Sequence, residues 1–173
     1  IADIYGASVQ HRTHGKSLVP LLEGSSTAIR EWALGGVWGN WVQVTDGRMK
    51  YARSAVELNA PLSIWSNRWS TMPIHFDGIV GMPPPDQRAR LDTMPGSDIP
   101  VLRQPFESGD QMPIWAFGDN AVGKHYLFDL SVDPSEEENR VGEQGEREMI
   151  ELLRAALQSI DSPGEQLSRI GIA

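Results

Sequence analysis

Trp41-Val42-Gln43-Val44-Thr45-Asp46-Gly47-Arg48-Met49-Lys50-Tyr51-Ala52 carries the strongest structural signal in the chain. Two segments of alternating polarity flank an Asp-Gly pair, the strongest short-range signature of a β-hairpin. The pair predicts a type I′ turn with both Asp46 and Gly47 at positive φ. Side chains on a strand alternate between faces, so Val42, Val44, Met49 and Tyr51 are expected to share one buried face.

Working outward, the apolar run 32–38 ends at Gly39-Asn40 and reads as a strand preceding the hairpin. Residues 62–65 and 125–130 read as two further short strands. Ser131-Val132-Asp133-Pro134 then turns the chain, because Pro fixes φ and Asp bonds its own backbone. A helix is expected over 145–160. Met149, Ile150, Leu152, Leu153, Ala156, Leu157 and Ile160 form a continuous apolar stripe at helical spacing. Glu146 and Glu148 suit the positive end of its dipole, and Ser162-Pro163-Gly164 stops it. Near the start, Ser17 is the expected N-cap of a short turn over 18–22 that Gly24 closes, with Pro20 harmless in the first turn. Ile1, Ile4 and Tyr5 read as one face of a helix ending near Gly6.

Between 66 and 124 the periodicity fails. Pro73, Pro83-Pro84-Pro85, Pro95, Pro100, Pro105 and Pro113 punctuate it, while Trp69, Phe76, Phe106, Trp115 and Phe117 make it too apolar for a disordered linker. It reads as a long ordered loop packed on a surface. The expected class is therefore α+β: a small antiparallel sheet of about four strands, one long C-terminal helix packed on it, and a long irregular loop.

Composition sets wider bounds. At 173 residues, with 40% hydrophobic and 22% charged residues, the chain has enough material for one globular domain. Fifteen Lys plus Arg against 23 Asp plus Glu give a net charge of −8, which argues against a nucleic-acid partner. No segment approaches the ~20 apolar residues of a membrane span. Cysteine is absent, which removes disulfides and thiolate metal sites and leaves the compartment open.

Three segments in order resemble the C-terminal portion of the sulfatase family, within the alkaline phosphatase superfamily. His14-Gly15-Lys16-Ser17-Leu18-Val19-Pro20-Leu21-Leu22-Glu23-Gly24 is similar to a G-(R/K)-S-L-x-P-L-L-x-G stretch after the last core helix. Arg30-Glu31-Trp32 through Lys50-Tyr51 resembles an R-E … V-R-T-x-x-x-K-Y hairpin. Leu127-Phe128-Asp129-Leu130-Ser131-Val132-Asp133-Pro134, continuing to Glu136 and Asn139, resembles L-(Y/F)-D-L-x-x-D-P-x-E-x-x-N. The resemblance implies that residues 1–24 are the end of an upstream catalytic-domain helix and a linker, and that 25–173 form the C-terminal subdomain. It also implies a parent hydrolysing sulfate esters with a formylglycine nucleophile and a divalent cation, usually calcium, both in an N-terminal catalytic domain. This chain departs from that machinery: it has no Cys, no S-x-P-x-R sequence and no adjacent Asp pair, and Asp119-Asn120 lies in a Gly-flanked turn. It is expected to hold no catalytic residue, cofactor or metal ligand of its own.

Other candidates are weighed on their chemistry. His11-x-x-His14 lacks a third ligand and reads as a solvated basic turn more readily than as a metal site. Arg12, His14 and Lys16 suit an anionic ester, although they read more readily as ordinary surface charge. His75 and Asp77, beside Trp69 and Phe76 in the long loop, are candidates for the rim of a substrate pocket together with His14. No G-x-S-x-G, P-loop, G-x-G-x-x-G or H-E-x-x-H motif occurs. The expected partners are the catalytic domain and, through it, a sulfate-ester substrate; the apolar surface that this domain would cover predicts self-association of the isolated chain. Two alternatives stay open: a free-standing binding module, and the same subdomain in a phosphonate or phosphate ester hydrolase.

Overall fold

The computed structural model describes residues 1–10, 13–37, 39–57, 61–67, 89–106 and 122–173. Its elements run α1 (Val19–Leu22), β1 (Ala33–Gly36), β2 (Trp41–Thr45), β3 (Met49–Ser54), β4 (Ser63–Ser66), β5 (Arg90–Thr93), β6 (Pro100–Pro105), β7 (Tyr126–Asp129), α2 (Glu146–Ser159) and α3 (Gly164–Arg169). The strands form two antiparallel sheets, one in the order β1-β2-β3-β7 and the other β4-β6-β5. The class is α+β.

The hairpin β2–β3 forms in the register its polarity dictates, with Val44 opposite Tyr51 and Thr45 opposite Lys50. Val44 and Tyr51 are fully buried, and Val42 and Met49 pack beside them. The turn is not type I′. Only Gly47 has positive φ, at 94°. The Asp46 carboxylate accepts from the Arg48 N–H at 2.8 Å and from the Met49 N–H at 2.6 Å. The Asp46 N–H also bonds Met49 O at 3.3 Å, so Asp46 and Met49 close the turn and Gly47 and Arg48 are its central residues.

α2 lays its stripe across β2 and β3. Met149, Leu153, Ala156 and Leu157 are buried against Val44, Tyr51 and Leu127, with Ile170 and Ile172 closing the same core. The Tyr51 hydroxyl ties sheet to helix: it donates to Glu146 Oε1 at 3.0 Å and accepts from Arg53 Nη1 at 2.7 Å. At the C-terminus of α2, Asp161 takes φ 52°. The Ser162 N–H reaches back to Leu157 O at 3.0 Å and the Asp161 N–H to Gln158 O at 3.0 Å, the double bond of a Schellman cap.

The polar side chains of Asp129, Asp133, Glu136 and Asn139 around the Asp-Pro turn each have a structural partner. Asp129 accepts from Arg48 Nη2 at 2.9 Å and from the Ser131 backbone N–H at 3.1 Å. The Arg48 bond first, then Ser131, hold the Asp129 carboxyl at about 2, below the usual carboxylate range. The Asp133 carboxylate accepts from the Glu138 and Glu137 N–H groups, which lowers its pKa as well. Lys50 Nζ lies 2.8 Å from both Glu136 oxygens. Asn139 covers the free edge of β7, accepting from the Leu127 N–H at 2.9 Å and donating to His125 O at 3.1 Å. Blocking that edge removes a template for unwanted strand pairing.

The structure differs from the sequence reading in four further places. First, within 66–124 the described residues include two strands: β6 pairs with β4, and β5 pairs with β6. Pro100 and Pro105 occupy the ends of β6, the strand positions at which proline is tolerated. The second sheet has its own small apolar cluster of Leu62, Phe106 and Ile64. Second, the short helix α3 follows Pro163. Third, the N-cap of α1 is Leu18; Ser17 sits one residue earlier, its hydroxyl accepting from the Val19 N–H at 3.2 Å. Fourth, residues 1–6 make a single turn, with the Tyr5 N–H bonded to Ile1 O at 3.2 Å and Gly6 at φ 63°. No helix among the described residues is long and apolar enough to cross a membrane.

A polar network joins the second sheet to α3. Glu165 accepts from Ser63 Oγ at 3.0 Å and from Trp65 Nε1 at 3.1 Å, and it pairs with Arg103 Nη2. The Arg103 guanidinium also lies 5.1 Å from the Trp65 ring centroid, a cation–π contact.

Candidate functional site

Of the four rim candidates, His14 is described, and it is exposed. Trp69, His75 and Asp77 lie outside the described residues, as do His11 and Arg12. His14 lines an open cavity of about 670 Å³ with Lys16, Ala28, Ile29, Arg30, Glu31, Trp32, Leu34 and Ile160. The cavity forms where the segment before α1 passes the segment leading into β1, above the C-terminal end of α2. Its floor is apolar (Trp32, Leu34 and Ile160), and its polar side chains are His14, Lys16, Arg30 and Glu31. Among the described residues, no ion pair engages Lys16 or Arg30. Two cations beside a half-buried indole suit a ligand with an anionic group on an apolar or aromatic body. Sequence reading offered His14 as a rim candidate, read Lys16 more readily as surface charge, and treated Arg30 as framework; no sequence spacing links position 30 to positions 14–16.

The buried polar clusters do not form a catalytic constellation. Ser54 Oγ lies 3.5 Å from His125 Nδ1, a distance that superficially suits a nucleophile and its base. Yet Ser54 is 0% exposed, so no substrate atom can reach it. His125 has its pKa lowered by burial first and then by Arg53. Of its two charged neighbours, the Arg53 guanidinium acts more strongly than the Glu146 carboxylate. Glu146 is engaged by Tyr51 and the Gly142 N–H, whereas a triad needs a carboxylate bonded to the imidazole. In the Ser63–Arg103–Glu165–Trp65 network the polar groups are likewise engaged with one another, and Arg103 also pairs with Asp92 at 3.6 Å.

A hard divalent cation needs several convergent oxygens. Among the described residues no three His, Cys, Asp or Glu side chains converge to hold one, so this part of the chain does not fit the cation that the sulfatase resemblance implies. Nor does the chain contain the cysteine from which a formylglycine could be made, or a serine in S-x-P-x-R.

Compared with protein-family models, with curated proteins and with solved structures, the chain matches none.

Proposed function

We propose that this chain is the C-terminal subdomain of a sulfatase-type hydrolase, with a structural and pocket-rim role and no catalysis of its own. The observation that carries the reading is how the resembling motifs engage one another. Arg48 and Lys50 of the hairpin hold Asp129 and Glu136 of the Asp-Pro turn, at 2.9 and 2.8 Å, across more than 80 residues of sequence. The first motif supplies His14 and Lys16 to the cavity that Arg30, Glu31 and Trp32 of the second motif complete.

The apolar side chains of 1–24 support a covering partner. Ile1 is 94% exposed and Leu22 76%, with Ile4, Tyr5, Val9 and Leu18 also exposed, and α1 buries none of its residues. Clustered exposed apolar surface marks an interaction site. In this reading the partner is the catalytic domain, which supplies the formylglycine nucleophile and the divalent cation for sulfate-ester hydrolysis. His14, Lys16 and Arg30 then sit at the entrance and attract the anionic substrate.

The reading frame of the gene tests this. It is expected to encode a C/S-x-P-x-R sequence upstream of residue 1. A start site at residue 1 refutes the proposal in favour of a free-standing binding module; an upstream frame lacking that motif refutes it in favour of another ester hydrolase.

A further inference from the structure

Arg169 is the last residue of α3 and is 3% exposed. Its Nη2 donates to Gly39 O at 2.6 Å and its Nη1 to Pro61 O at 3.4 Å. Both acceptors are neutral carbonyls. Among the described residues no carboxylate pairs with it, and burial lowers the pKa of its guanidinium with no acid to offset the shift. A buried charge without a counter-charge is costly, and Asp, Glu or a bound ion is the usual remedy.

The same guanidinium lines a cavity of about 260 Å³. The cavity is also lined by Gly35 and Gly36 of β1, by Gly39 and Asn40 of the β1–β2 connection, and by Gln166, one helical turn before Arg169; Asn40, Trp41 and Gln166 are its other side-chain donors. Gly36 is required by the hairpin itself: its φ is 150°, and a Cβ there would lie 2.4 Å from Trp41 O. The wall combines the backbone of three glycines with Val37, Asn40, Trp41 and Val42. Guanidinium, a side-chain amide and glycine backbone are the groups that recognise tetrahedral and carboxylate oxyanions.

We propose that this cavity is a binding site for a small oxyanion of the sulfate or phosphate type, held by Arg169 and Gln166 against the glycine-rich β1–β2 connection. The chain's net charge of −8 opposes entry of an anion. Exposed charges beyond a Debye length of about 8 Å are largely screened at physiological salt, whereas a buried guanidinium is screened much less, so the local attraction prevails. The site is independent of the sulfatase reading, because it uses no residue of the cavity around His14.

The test is titration of the full chain with sodium sulfate and, separately, sodium phosphate, each at ionic strength matched with sodium chloride. Binding is read by calorimetry and by amide chemical shifts. Saturable binding is expected, with shifts concentrated at Gly35, Gly36, Gly39 and the Gln166 and Arg169 amides. Gln166→Glu places a carboxylate one turn from Arg169 and is expected to weaken binding about ten-fold or more. Arg169 itself is retained, so its two carbonyl contacts and the fold persist. Non-saturable shifts spread over the surface, or equal affinity in Gln166→Glu, would overturn the site. If Gln166→Glu does not fold, the shift map of the unaltered chain decides: saturation at other residues refutes the proposal. Whichever of sulfate and phosphate binds more tightly identifies the natural oxyanion class.

Discussion

Tyr51→Phe removes a single oxygen from the centre of the molecule, and its consequences can be worked out in advance. Tyr51 is 0% exposed, and its hydroxyl joins Arg53 on the same strand to Glu146 in the first turn of α2. Hydrogen bonds to charged groups contribute roughly 1.5–3 kcal/mol each. Both partners keep other contacts: Arg53 Nε donates to Ile170 O at 2.5 Å, and Glu146 Oε2 accepts from the Gly142 N–H at 2.7 Å. The loss is therefore nearer one such bond than two, about 2 kcal/mol at neutral pH. For a chain of this size that corresponds to a fall of roughly 4–8 °C in Tm. Urea denaturation followed by circular dichroism measures it, with an unchanged slope if the fold is retained.

The pH dependence provides a second arm. Burial, more than any neighbour, raises the Tyr51 phenol above its ordinary value of 10.0. The folded state thus favours the neutral phenol. Its contribution is fully present below the unfolded pKa near 10 and is lost as pH rises toward the higher folded value. The stability gap between wild type and Tyr51→Phe is expected to narrow from pH 8 to pH 11. A loss under about 0.5 kcal/mol at pH 7, or a gap that stays constant to pH 11, refutes the role assigned to this hydroxyl.

Leu153→Ala cuts into the stripe of α2 at a fully buried position and is expected to cost about 3 kcal/mol through lost transfer energy and the remaining cavity, measured by the same denaturation. Asp129→Asn removes a carboxyl held at about 2 by Arg48 and Ser131. A depressed carboxyl stabilises above its unfolded pKa near 4 and loses that contribution as pH falls toward 2, so the wild type should lose stability across this window more steeply than the variant. Gly36→Ala places a Cβ 2.4 Å from Trp41 O at a φ of 150° and should destabilise the β1–β2 connection by about 2 kcal/mol or more, read as a lowered Tm.

What was legible in the sequence followed from strong local periodicity. The hairpin β2–β3 announced itself by alternation around Asp46-Gly47, and α2 by its 14-residue amphipathic run. The Asp-Pro turn was legible in position, although the partners of Asp129, Asp133, Glu136 and Asn139 were not. The turn type escaped because Asp46 pairs with Met49, which puts Gly47 and Arg48 at the tip rather than Asp46 and Gly47, a one-residue shift that composition does not decide. β5 and β6 escaped because Arg90–Thr93 is short and polar, while Pro100 and Pro105 mask a six-residue strand. α3 spans six residues, less than two turns, too few to show helical periodicity. Arg30 and Arg169 reach their cavities by tertiary packing alone, so nothing in their neighbourhoods marks them.

The most direct measurement is hydrolysis of 4-nitrophenyl sulfate by two samples: the full-length product of the gene and the 173-residue chain alone. The account predicts turnover by the full-length product, lost on chelation of its divalent cation, and none by the 173-residue chain. Turnover by the short chain, or a full-length product inert toward the sulfate ester, would contradict it.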